Sequence, residues 1–144
     1  MIYTKKPEKF NPRFEIVSCF VECGGDILLL HRQDHKPQGD TWGVVAGKVD
    51  DGEDVKGAMM REFQEEIGFQ LPEPKLSHFK KVYVRCSEYD FVDHMFHVEL
   101  DRQQKIVLRC DEHKDFKWVS PKDALQMPLI EDLDACIELF YEIK

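Results

Sequence analysis

The chain of 144 residues is 42% apolar and 33% charged, with 8 Gly and 7 Pro, a balance that excludes disordered and fibrous classes and suits a single globular domain over residues 1–144. Its formal net charge of −8 weighs against a surface that grips nucleic-acid polymers through clustered Lys and Arg, so an anionic partner would have to be met by a metal or a local basic pocket. The longest aliphatic run, Ile27 to Leu30, is far short of the roughly 20 residues a membrane span requires, and Lys5, Lys6 and Lys9 have no apolar segment behind them; a cytoplasmic protein without signal peptide or membrane helix is expected.

In chain order, Phe14 to Val21 carries apolar residues on both faces, as in a strand covered on both sides. Gly24-Gly25-Asp26 turns it into a second strand at Ile27 to Leu30. Residues 33–41 are polar and rich in turn formers, which predicts a loop leading to a short strand around Trp42 to Val45. A helix follows, with Asp54 as its cap, Val55, Met59, Met60, Phe63 and Ile67 at helical spacing, and Gly68 where a left-handed C-terminal cap belongs. The prolines of Leu71 to Pro74 begin a loop. Strands are then predicted at Phe79 to Arg85, Phe91 to Leu100, Lys105 to Arg109 and Phe116 to Val119, with Asp111 to Asp115 as a charged loop. Ser120-Pro121 starts a helix, and Leu129 to Ile143 reads as a terminal amphipathic helix. Trp42 and Trp118 are expected in the core. This order describes one mixed α/β or α+β domain.

The five cysteines form an odd set without a CxxC pair, so neither a disulfide framework nor a thiolate zinc site is expected. Of the six histidines, His94 and His97 fall on opposite strand faces, and His31, His35, His78 and His113 have no ligand spacing, so no zinc role is expected of them.

With Glu62 set at zero on a helix turning about 100° per residue, Glu65 falls near −60° and Glu66 near +40°, while Met59, Met60, Phe63 and Ile67 occupy about +60° to +160°. Three carboxylates thus lie beside an apolar arc. On an exposed face each like-charge pair costs only about 0.2 to 0.5 kcal/mol. In a cleft, two charges 6 Å apart at an effective dielectric of 20 repel by about 2.8 kcal/mol, so the same cluster would imply a bound cation.

Gly47 is followed by Glu53 and then by Arg61-Glu62-Phe63-Gln64-Glu65-Glu66-Ile67-Gly68-Phe69. The segment 47–69 resembles the Nudix box, G-x5-E-x7-R-E-U-x-E-E-x-G-U with U a bulky apolar residue, and every fixed letter is matched. At ordinary residue frequencies such a match has a probability on the order of 10⁻⁹ per window. Phe63 stands where an aliphatic residue is usual, and Val45-Ala46-Gly47 replaces the usual Pro-Gly-Gly.

The resemblance implies an α/β/α sandwich with a mixed β-sheet and a Mg²⁺-dependent pyrophosphohydrolase, with Mn²⁺ as an alternative ion. It implies Glu62, Glu66, Glu65 and the Ala46 carbonyl as metal ligands, Arg61 as the residue that orients a carboxylate, and Glu53 as its partner or a water-mediated ligand. Glu112 lies six residues before Trp118, where relatives place a further acidic residue, and is one candidate general base; Glu62 and Glu65 are others. Arg32, fifteen residues before Gly47, matches a substrate-contacting Arg of relatives. Tyr83 and Arg85 share one strand face and are candidates to stack on a base or meet a phosphate.

The expected substrate is a small nucleoside diphosphate derivative, most simply a nucleoside triphosphate cleaved to monophosphate and pyrophosphate. ADP-ribose, a nucleotide sugar, a dinucleoside polyphosphate and a non-catalytic nucleotide sensor are the alternatives. Relatives that read oxidised purines use an Asn near the C-terminal helix; Asn11 is the sole Asn here, with Asp132 or Asp134 as replacements. No nucleic-acid polymer or membrane partner is expected, and the chain is expected to be a monomer or homodimer.

Overall fold

The computed structural model describes residues 1–71 and 73–143. Pro72, part of the predicted break after the helix, lies outside the described residues. The elements are β1 (Ile2–Tyr3), β2 (Pro12–Cys23), β3 (Asp26–Arg32), β4 (Trp42–Gly43), β5 (Val45–Lys48), α1 (Val55–Ile67), a 3₁₀ turn (Glu73–Lys75), β6 (Ser77–Arg85), β7 (Asp90–Glu99), β8 (His113–Val119), α2 (Pro121–Ala124) and α3 (Leu133–Tyr141). Among the described residues, no helix is long and apolar enough to cross a membrane.

The strands form one mixed sheet in the order β1-β6-β7-β2-β3-β4, with β5 on β2 and β8 on β3. The β2–β7 pair is parallel and the others are antiparallel. Because side chains alternate along a strand, β2 serves two cores. Val17, Cys19 and Val21 pack with Met59, Phe63 and Ile67 of α1, whereas Phe20 joins Met95 and the Leu133, Cys136 and Ile137 side chains of α3 on the other face. The result is the α/β/α sandwich. Full burial of Phe63 contributes about 1.5 to 3 kcal/mol to holding α1 on the sheet.

Helix α1 begins and ends where its caps require. The Asp54 carboxylate accepts the Gly57 N–H at 2.7 Å, and Gly68, at φ +80°, donates its own N–H to the Gln64 carbonyl.

Four expectations need correction. Lys105 to Arg109 forms no paired strand: Val107 donates its N–H to the Ile67 carbonyl, and Ile106 and Leu108 pack on the α1 core, so the segment crosses the end of the helix instead of joining the sheet. The strand predicted from Phe116 already starts at His113, because residues 113–119 pair with β3. The terminal helix begins at Leu133 instead of Leu129, since Pro128 and Ile130 hydrogen-bond to Trp42 and Asp132 adopts φ +68°. Trp42 and Trp118 are half-buried at the core margins, and Trp42 stacks on His31 at 4.2 Å.

A candidate active site at the split in the sheet

Strands β2 and β3 stay paired only at Glu22–Ile27 and Cys23–Asp26. Beyond that point β2 takes β5 as its neighbour while β3 takes β4 and β8, and the sheet splits. A cavity of about 520 Å³ lies at this split, lined by Ala46, Gly47 and Lys48 from β5, Arg32 from β3, Glu66 from α1 and His113 from β8. It extends beneath α3 to Ser18, Asp93 and Cys136. Such a volume accommodates a nucleotide-sized molecule.

On α1, next to Gly47 and Glu66 of the cavity wall, Arg61 gathers the acidic side chains. Its Nε and Nη2 donate to the two Glu53 oxygens at 2.9 and 3.0 Å. Nη1 donates to Glu62 at 2.8 Å and to Glu65 at 3.4 Å, and Nη2 also reaches the Lys48 carbonyl at 3.0 Å. These hydrogen bonds from Arg61, aided by the Asp50 N–H, hold Glu53 down to about 2. Glu62 moves the other way, raised by burial despite Arg61, with like-charge repulsion from Glu66 and Glu65 adding to the rise. Its carboxylate lies against Gly47, where a Cβ would overlap it, so any larger residue there would push the Glu62 carboxylate out of its place. Glu65 is more exposed and also lies 3.7 Å from Arg109.

Glu66 is only 8% exposed. Its Oε2 lies 3.1 Å from Nδ1 of the equally buried His113, yet the two are not aligned, and among the described residues neither atom has a hydrogen-bond partner. A buried carboxylate oxygen without a partner is costly, and a cation is one group that relieves it. The donors here are carboxylate and carbonyl oxygens, which suit Mg²⁺. Among the described residues no three His, Cys, Asp or Glu side chains form a ready-made metal cage.

Glu112 precedes β8, with its carboxylate 3.1 Å from Lys36. Arg32 lines the cavity and donates from Nε to the Pro37 carbonyl at 2.9 Å. Tyr83 and Arg85 do not reach it: strand alternation puts Val84 and Cys86 on the cavity wall. Tyr83 packs edge-on against Phe10, and Arg85 pairs with Asp90. Asp132 lines the cavity and meets the Met1 amino group at 2.8 Å, whereas Asp134 caps its own neighbour, Ala135. Sequence reasoning passed over His113, Ser18 and Asp93. The only signal for Asp93 was an acidic residue in the middle of a strand, between the apolar pairs Phe91-Val92 and Met95-Phe96.

This fold, together with a carboxylate-bearing helix behind a glycine-containing loop, defines a hydrolase of phosphoanhydride type. Residues 12–140 match the NUDIX domain family, and the chain belongs to it; its members are hydrolases of nucleoside diphosphate-linked substrates. The CTP pyrophosphohydrolase of Escherichia coli (strain K12) is 31% identical, covering 90% of this chain and 93% of that protein. The dihydroneopterin triphosphate diphosphatase of Haemophilus influenzae is 28% identical, covering 81% and 79%. Among solved structures, the E. coli ORF135 protein superposes with a TM-score of 0.74 at 27% identity, covering 90% of this chain and 89% of that one. The MutT protein of Methanosarcina mazei Go1 has a TM-score of 0.77 at 24% identity, covering 95% and 97%, and shows the shared fold alone.

Proposed function

We propose that the chain hydrolyses a nucleoside triphosphate to the monophosphate and pyrophosphate, using Mg²⁺ or, as an alternative, Mn²⁺. The observation that carries this reading is a buried, unpartnered Glu66 oxygen on the wall of a nucleotide-sized cavity, on the same helix as Glu62 and Glu65, which Arg61 gathers. The 31% identity to a CTP pyrophosphohydrolase over nearly the whole chain supports it.

Glu62, Glu65 and Glu66, with the Ala46 carbonyl, are the groups that would hold the cation. Bound there, Mg²⁺ supplies charge withdrawal from phosphate oxygens and a more acidic water. Arg61 holds Glu62 and Glu53 in place, and Arg32, on the cavity wall, meets a phosphate oxygen. One of the candidate bases Glu112, Glu62 and Glu65 takes a proton from the attacking water. As the water oxygen bonds to phosphorus, the bridging P–O bond breaks and its electron pair leaves with the departing group.

The test is a panel of nucleoside triphosphates, ADP-ribose and dinucleoside polyphosphates, assayed for phosphate and pyrophosphate with Mg²⁺ and with EDTA. Pyrophosphate released from a triphosphate, and only with the metal, is the expected result. Turnover confined to ADP-ribose or dinucleoside polyphosphates, or unaffected by EDTA, overturns the reading. Binding without turnover of any compound makes the domain a sensor.

A further inference from the structure

The far end of the cavity has a chemistry that the box does not explain. Asp93 stands on β7 and Ser18 on the adjacent β2, both on the face beneath α3, and both line the cavity. Asp93 is only 7% exposed. The Ser18 hydroxyl donates to its Oδ1 at 2.8 Å and is its one hydrogen-bond partner among the described residues. No Lys or Arg pairs with it there. Phe20, Phe91 and Leu133 also line the wall, and its other charged groups on this side, Glu88, Glu131 and Asp132, are acidic and offer Asp93 no counter-charge.

A carboxylate in such a place is a liability to folding, because burial without full pairing costs free energy. It stays useful when a ligand completes its hydrogen bonds. An ionised carboxyl offers only acceptors, here two oxygens side by side, one already receiving Ser18. The complementary partner presents two adjacent N–H donors.

From this geometry, and resting on the reading of the cavity as a nucleotide site, we infer that Asp93 is a specificity-determining residue. It selects a heterocycle whose edge carries a ring N–H beside an exocyclic amino group, the 2-amino-oxopyrimidine edge found in guanine. Hypoxanthine, which differs from guanine only in lacking that amino group, satisfies one acceptor and leaves the other bare. A site built to receive a donor discriminates strongly against an analogue that lacks it, since the buried acceptor is then stranded. Burial pushes Asp93 up to about 7, so above neutrality the free protein presents the ionised, two-acceptor form. The facing Cys136 thiol on α3 is itself raised by burial and stays protonated, so it adds no competing charge.

The experiment is equilibrium binding of GMP and IMP to the full chain in metal-free buffer at pH 8, which reads base recognition without requiring hydrolysis. GMP should bind at least about tenfold tighter than IMP, and Asp93→Asn, which replaces one acceptor by a donor, should bring the two within about threefold. Equal binding of GMP and IMP by the wild-type chain overturns the inference whether or not the variant folds. So does a GMP preference unchanged in a folded Asp93→Asn variant. A chain that selects GMP through Asp93 yet hydrolyses no triphosphate would keep this inference and remove the proposed function. Triphosphate hydrolysis with no GMP over IMP preference would do the reverse.

Discussion

Beside the cavity, on the side of the acidic helix, Arg61 holds the Glu53 carboxyl down to about 2, while on the cavity wall burial pushes Asp93 up to about 7. The same chemical group thus stands on opposite sides of its ordinary value in two regions of one small fold. Glu53 is matched by a guanidinium that addresses both of its oxygens, whereas Asp93 has a single neutral hydroxyl. A carboxylate with a charged partner strengthens the fold in its ionised form; one without such a partner weakens it. The two regions therefore respond to acid in opposite directions. The contribution of Glu53 is complete above the usual carboxylate value and is lost as pH falls toward 2. The penalty at Asp93 is absent below its unfolded value, near 4, and grows as pH rises toward 7.

The largest expected effect tests the acidic helix. Phe63→Ala should cost about 3 to 5 kcal/mol of stability, because Phe63 is fully buried and packs edge-on against Phe69 at 5.0 Å. Urea unfolding measures it, and an unchanged midpoint would mean the acidic helix is not anchored by this face.

Asp93→Asn probes the other region and should stabilise. In the wild type the native state binds more protons than the unfolded chain between about pH 4 and 7, so its stability falls with rising pH in that window. Removing the titration should make the variant more stable at pH 8 by up to roughly 4 kcal/mol, with the gain vanishing near pH 4. A gain of the same size at both pH values would contradict the account of Asp93 as a carboxyl raised by burial.

Glu66→Gln should leave the fold intact and lower turnover at least about a hundredfold, equivalent to about 2.7 kcal/mol in the barrier. Steady-state kinetics with the preferred triphosphate and a thermal melt of the same sample separate the two effects. Near wild-type turnover would remove Glu66 from the proposed metal site.

The smallest effect is that of the cation on the resting protein. Mg²⁺ at tenfold excess over its Kd should add about 1.4 kcal/mol, read as a rise in Tm, by relieving Glu62 and the unpartnered Glu66 oxygen. The rise should disappear in the Glu62→Gln, Glu66→Gln double variant and persist in Asp93→Asn, since only the first alters the acidic helix. A loss in both would show that the two regions act as one site.

What the sequence determined by itself was the local chemistry. The box spacing, the Asp54 and Gly68 caps and the placing of Glu62, Glu65 and Glu66 on one helix all follow from relations within about 20 residues, and helical periodicity is a short-range property. Tertiary structure decided which distant strands meet and which parity of each faces the cavity. Tyr83 and Arg85 share a face, as their spacing requires, but the β6–β7 register turns Val84 and Cys86 toward the cavity. Lys105 to Arg109 has the residues of a strand, yet its apolar side chains and the Val107 N–H are taken up by the end of α1. His113 reaches Glu66 through the pairing of β8 with β3. Asp93 meets Ser18, 75 residues away, because β7 lies parallel to β2. A strand's period of two leaves only two faces to choose from, and that choice is made by the hydrogen bonds of its neighbours, which are remote in the chain.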